Sequence, residues 1–191
     1  LLAMLVISSS CADRKELPPG DPGNGGLFLP GNFEAVIVAD SVGSARHLAV
    51  TDNGDIYVKL RGAFPEGGNV ALRDENNDGK ADIIKKFGKY TDDEYYGTAM
   101  RIYNGYIYYS SASTVYRTKI KPGQLIPEDS LEVMLTDDFR HDPHGYQHIA
   151  KPVTFDESGH MYVPFGSPSD VCQQIDRIPE SPGQMPCPEL A

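Results

Sequence analysis

Basic charge, cysteine, helical patterning and long apolar runs are all scarce in this sequence of 191 residues. Lysine and arginine number 17 against 27 acidic residues, a formal net charge of −10. A surface so acidic repels phosphate backbones and argues against nucleic acid as a partner. Small neutral or cationic ligands and metal ions stay open. The three cysteines form no C-x-x-C or C-x-x-C-H pattern, which argues against haem attachment and cysteine-based metal sites. The longest apolar run, Leu1 to Ile7, is too short to span a bilayer. With 40% hydrophobic and 23% charged residues, the chain reads as globular, with enough apolar surface for one domain.

That apolar run is followed by Ser8, Ser9, Ser10 and Cys11, an imperfect lipobox. Residues 1–11 therefore read as a lipoprotein-type signal peptide, with Cys11 the acylated residue. The plainer alternative is a signal peptide with an incidental cysteine. Leu1 is not a methionine, no basic segment precedes the apolar stretch, and the chain stops at "CPELA". The expectation is a fragment truncated at both ends. Residues 12–31, with "PPGDPGNGG", read as a flexible tether, and residues 32–191 as the folded part, opening with "FEAVIVA" as a first strand. Export places the remaining pair, Cys172 and Cys187, in an oxidising compartment, where a disulfide stapling their proline-rich loop is expected.

What is abundant is a repeated pattern of short strands. "HLAVTDNGDIYV", "AMRIYNGYIYY" and "KPVTFDESGHMYV" each give a strand, a glycine turn and an aliphatic-tyrosine strand. Their glycines, Gly54, Gly105 and Gly159, recur at intervals of about fifty residues. Further strands are expected at "NVALR", "DIIKKF", "TVYRTKI" and "LEVMLT". Four antiparallel strands per repeat predict an all-β fold, a β-propeller, with about two and a half to three blades present here. A β-sandwich also has many short strands but does not predict this period.

Propeller geometry puts the loops leading into each innermost strand on one face, with those joining second and third strands. On that face lie His148, Tyr95 and Tyr96, Arg46 and His47, and, after second strands, Arg61 and Ser167. A pocket on the axis there is a natural ligand site. On the opposite face, "DENNDGKAD" sets Asp74, Asn76, Asp78, Lys80 and Asp82 at the spacing of an EF-hand-like calcium loop, with Gly79 at the bend. Lys85 replaces the bidentate glutamate at the twelfth position, so a solvated Asp-Gly turn is the competing reading. His141, His144 and His148 suggest a transition-metal site, but Pro143 and Gly145 oppose the helix that would align two of them. The other readings are a polar loop and, for His148 at a channel mouth, a catalytic base.

The stretches "ARHLAVTDNGDIYVKLR", "ALRDENNDGKADIIKKFG" and "QHIAKPVTFDESGHMYVPFGSPSDVCQ" together resemble the soluble pyrroloquinoline-quinone (PQQ) sugar dehydrogenases, nearest the glucose/sorbosone branch. The resemblance runs from Phe33 to Ala191. The tail "CQQIDRIPESPGQMPCPELA" is similar to a cysteine-bearing insertion of sorbosone-type members. It implies a six-bladed propeller in which His148 takes the substrate hydroxyl proton while hydride passes to the quinone C5. It further implies a quinone carboxylate contact at Arg61; Tyr96 and Ser167, placed on the same face by the repeat, are the other candidate cofactor contacts. Ser167 stands where stronger sugar dehydrogenases carry an acidic residue, which departs from the glucose-type pocket. The catalytic Ca²⁺ and most quinone-binding arginines of the family come from later blades.

Two functions follow as expectations. One is a quinoprotein dehydrogenase oxidising a sugar or related alcohol or aldehyde with PQQ and Ca²⁺. It would pass electrons to an acceptor such as a cytochrome c or a quinone, as a periplasmic or outer-membrane lipoprotein of a bacterium. The other is a non-enzymatic propeller lipoprotein that binds carbohydrate or protein on its loop face, its aromatic-rich "YIYYSSASTVY" in the second repeat.

Overall fold

A computed structural model describes residues 17–62, 65–90, 97–137, 148–166, 171–175 and 177–187. Ten strands run in chain order: β1 (Ala45–Val50), β2 (Ile56–Leu60), β3 (Asn69–Arg73), β4 (Ile83–Phe87), β5 (Thr98–Tyr103), β6 (Tyr106–Ser110), β7 (Thr114–Lys119), β8 (Glu132–Thr136), β9 (Thr154–Phe155) and β10 (Met161–Tyr162). They form antiparallel sheets β1-β2-β3-β4 and β5-β6-β7-β8 and the hairpin β9-β10. No α-helix occurs among the described residues, and none of their helical segments is long and apolar enough to cross a membrane. The fold is all-β: two complete propeller blades and the inner hairpin of a third.

The hairpins are built by the turn residues. Asn104 and Gly105 both have positive φ (49° and 78°), so β5 and β6 are joined by a two-residue primed turn whose twist matches the strands. The other two hairpins use five-residue loops of one design. In the first, the Thr51 N–H reaches the Asp55 carbonyl and the Gly54 N–H reaches Thr51. In the third, Asp156 N–H reaches His160 and Gly159 N–H reaches Asp156. Both inner strands of the complete blades carry a bulge at the same place, at Arg46 between Ala45 and His47 and at Ala99 between Thr98 and Met100. Bulges bend a strand and re-aim its side chains, here at the end nearest the proposed channel mouth.

Alternation along the strands sets the core. In β2, Tyr57 and Lys59 face the second blade while Val58 and Leu60 face away. The first pair of blades closes over Tyr57, Ala71, Phe87, Met100, Ile107 and Tyr109, with edge-on rings of Tyr57 and Phe87 (5.7 Å) and of Phe87 and Tyr109 (6.3 Å). The Tyr57 hydroxyl donates to the Leu125 carbonyl at 2.9 Å, tying the β7–β8 loop across the junction. The second junction is smaller: Ala99, Tyr108 and Val153 are buried, and Tyr103 stacks on Phe155 at 4.4 Å.

The expected first strand at "FEAVIVA" does not form. Residues 33–39 are extended but make isolated bonds, Ala81 N–H to Val38 and Asp21 N–H to Ala35, instead of a ladder. Ala39 and Val42 serve as a cover, packing on Val58, Leu60, Val70 and Leu72. The described part of the stretch read as a tether, residues 17–31, also touches the fold. Asp21 accepts the Ile37 N–H (2.7 Å) and pairs with Lys80 (2.9 Å), and the Gly20 N–H reaches Glu34. Cys11 lies outside the described residues.

Candidate functional site

The face carrying the strand approaches is assembled by backbone hydrogen bonds between blades. Arg61 leaves β2 with its N–H on the Ser44 carbonyl at 2.8 Å, just before β1. Its own carbonyl accepts the Gly97 N–H at 2.9 Å, just before β5. Arg61 is thus set between the approaches to the first and second blades, with its side chain exposed. This matches the face expected for it.

His148 occupies the corresponding approach to the third blade, exposed and with left-handed backbone (φ 52°). A non-glycine residue in that region is strained and persists only where its surroundings hold it. The surroundings are visible. Gly166, just beyond β10, packs so closely that a β-carbon there would overlap the β-carbon and carbonyl oxygen of His148. Ile149 and Lys151 follow as buried residues. Tyr95, Tyr96, His141, His144 and Ser167 lie outside the described residues.

The wall formed by β1 and β5 is electropositive although the chain is acidic. Partial burial and then the charges of Arg46, Arg101 and Lys59 hold the imidazole of His47 below its ordinary pKa. His47 is paired across the strands with Lys59. Sequence reading found Arg46 and His47 but not Arg101 or Lys59. Arg101 lies on the strand of a different repeat, and Lys59 alternates with apolar residues in a way that gives no sign of its burial.

On the opposite face, the 74–82 loop closes on itself. Asp74 accepts the Asn77 and Gly79 N–H groups, at 2.6 and 2.9 Å. Asp78 accepts the Lys80 N–H (2.8 Å) and the Asn76 amide (3.3 Å); Asp82 accepts the Glu75 N–H (2.7 Å) and the same amide (3.3 Å). Every carboxylate oxygen of Asp74, Asp78 and Asp82 therefore takes an N–H, and the Asn76 side chain caps Asp78 (2.8 Å). The Lys80 ammonium pairs with Asp21. Among the described residues no three His, Cys, Asp or Glu side chains are grouped to hold a metal ion. The expected oxygens are thus brought together, as a self-capped turn. Cys172 and Cys187 form the expected disulfide, and within the loop Gln173 bridges to Gly183.

Four-stranded antiparallel blades packed face to face, with loops from successive blades meeting on one side, define a partial β-propeller. The chain is similar in fold to the holo form of the PQQ domain of a pyranose dehydrogenase from Coprinopsis cinerea, with TM-score 0.55 and 14% identity over 70% of this chain and 30% of that one. It is also similar to the calcium structure of a Trichoderma reesei member of carbohydrate-active enzyme family AA12, with TM-score 0.55 and 15% identity over 70% of this chain and 32% of that one. The iodide structure of the family AA12 protein gives a TM-score of 0.52 and 15% identity over 75% and 37% of the two chains. The chain thus spans about a third of the length of these structures. No protein-family profile matches it, and no curated protein matches it.

Proposed function

We propose that this chain is part of a quinoprotein dehydrogenase that oxidises a sugar or a related alcohol or aldehyde, with His148 as general base. The observation that carries the reading is the placement of His148. It stands at the approach to a propeller blade, on the face that Arg61 shares, with its backbone held in a left-handed conformation against Gly166. The similarity in fold to a holo PQQ domain of a pyranose dehydrogenase supports it.

The residues present fit PQQ by charge. The cofactor is a polycarboxylate, and Arg46 and Arg101 place positive charge beside His47 on the inner wall of a chain whose net charge is −10. In this reading the two arginines, His47 and Arg61 would hold it, with Tyr96 and Ser167 as further expected contacts. Bound there, the quinone supplies a hydride acceptor. The protein's part is to orient the substrate and to remove its hydroxyl proton. A neutral imidazole at His148 accepts that proton as the hydride leaves, so charge does not build on the substrate oxygen. Calcium belongs to the reading as the ion that locates the quinone. An ion in the 74–82 loop would be structural, and would have to take Asp74, Asp78 and Asp82 away from the N–H groups they now accept.

In the same reading the protein is exported and anchored through acylated Cys11, and a cytochrome c or a membrane quinone takes the electrons. The test is dye reduction by the full-length protein that carries this sequence, reconstituted with PQQ and Ca²⁺. Sugar-dependent activity is expected, falling about 100-fold or more in His148→Ala. Activity that survives the substitution unchanged overturns the assignment of the base.

A second reading rests on a cleft of about 410 Å³ at the second blade junction. It is lined by Tyr103, Tyr106, Tyr108 and Phe155, with Arg117 over the Tyr106 ring at 4.3 Å. Aromatic faces beside a guanidinium suit a sugar ring, which favours a non-enzymatic carbohydrate-binding propeller. Failure of the full-length protein to bind PQQ in a spectral titration, together with saccharide binding lost in Tyr106→Ala, would favour it over the dehydrogenase.

A further inference from the structure

Lys151 is 1% exposed, three residues beyond His148. A buried ammonium is costly unless its charge and its N–H groups are met. Three of the groups that meet it can be named. The Asp137 carboxylate lies 2.6 Å away, the Ile149 carbonyl accepts at 2.9 Å, and the Phe165 ring lies 5.2 Å beneath. They come from three separate places. Asp137 follows β8, where the chain leaves the second blade, and its N–H is fixed on Ser113. Ile149 is the residue after His148. Phe165 precedes Gly166, which is pressed against His148. One side chain therefore joins the end of the second blade to the residue after His148 and to the segment pressed against it.

The first blade repeats the device. Lys59 is 0% exposed and donates to the Leu60 carbonyl at 2.6 Å, with the Tyr90 hydroxyl as a further partner and the Tyr90 ring 5.1 Å away. Leu60 directly precedes Arg61. Arg61 and His148 thus each have a buried lysine holding the carbonyl of an adjacent residue, near an aromatic ring. Apolar side chains in place of the Lys151–Asp137 pair would fill the same space without the desolvation cost, so folding alone does not call for an ion pair there.

We infer that Lys151 is a positioning residue: its ammonium, anchored by Asp137, fixes the Ile149 carbonyl and so holds His148 in the backbone conformation from which it acts. The inference rests on the reading of His148 as the base. It assigns Lys151 no contact with substrate.

The test uses the full-length protein with PQQ and Ca²⁺ and compares Lys151→Met, Lys151→Arg, Asp137→Asn and His148→Ala. For Lys151→Met the expected result is a kcat lower by about 10- to 100-fold with KM little changed, since small misplacements of a reacting group have effects of that size. Lys151→Arg keeps the cation and is expected to recover most of the loss; Asp137→Asn is expected to lower kcat in the same direction. If the wild type is active through His148 while Lys151→Met keeps its kcat, the inference fails and the base assignment stands. If no His148-dependent activity is found, the base assignment fails. Crystal structures of wild type and Lys151→Met then decide the positioning role: departure of His148 from positive φ supports it, and an unmoved His148 overturns it. Should Lys151→Met not fold, Lys151→Arg and Asp137→Asn give the same comparison.

Discussion

Asp55, in the β1–β2 loop, gathers three side-chain hydrogen bonds. It receives Arg73 through Nε and Nη2, both at 2.7 Å, and the Asn53 amide at 2.9 Å. The Arg73 bonds lead the causes that hold its carboxyl below the ordinary carboxylate range. Because the folded pKa is the lower one, this contribution is complete above the unfolded carboxylate pKa and is lost as pH falls through the folded value. Asp55→Asn should cost about 2 kcal/mol in urea unfolding at neutral pH, with the difference from wild type vanishing in acid. Tyr109→Phe has the opposite expectation. The Tyr109 hydroxyl and the Asn69 amide are buried without hydrogen-bond partners among the described residues. Removing that hydroxyl should leave stability within about 0.5 kcal/mol of wild type or raise it. His47, with its lowered pKa, favours the neutral form in the fold, so stability should decline as pH falls below its unfolded value. His47→Gln should flatten that decline in a melting-temperature profile. Neither lysine burial was legible in the sequence. Lys59 in "IYVKL" and Lys151 in "HIAKPV" carry no local sign of burial, and only the assembled packing buries them.

Strands and hairpins were legible because their signals are local. Alternating apolar residues flanking Asn104-Gly105 or Ser158-Gly159 dictate a hairpin whatever lies around them. The segment at 33–39 was misread because its apolar residues serve as a cover over the first blade, and nothing in its own pattern distinguishes a cover from a ladder strand. The bulges at Arg46 and Ala99 were also invisible, since they depend on cross-strand register. Gly166 matters for a related reason: its role is close approach to another segment. Gly166→Ala should displace His148, lowering kcat in the full-length protein while β1 to β8 keep their hydrogen-exchange protection, because the overlap falls on the third blade's approach alone.

At the scale of the molecule, the fifty-residue period was enough to predict blades, because each repeat must bury its faces on its neighbours. The first junction is closed, yet Leu48 and Val50 on β1 remain 62% and 53% exposed. Apolar groups on an inner strand are a surface on which further chain can pack. The 191-residue chain expressed by itself should therefore self-associate with rising concentration in sedimentation velocity, and a chain extended to close the ring should not. The function was less legible than the fold. His148 and Arg61 were proposed from their places in the repeat, whereas the arginines beside His47 and the buried lysines required the sheets to be assembled. The measurement that tests the central claim most directly is a single turnover of the PQQ-loaded full-length protein. The account predicts that wild type and His148→Ala bind the quinone alike, and that a sugar reduces it about 100-fold or more slowly in the variant. Equal rates of reduction in the two proteins would contradict it.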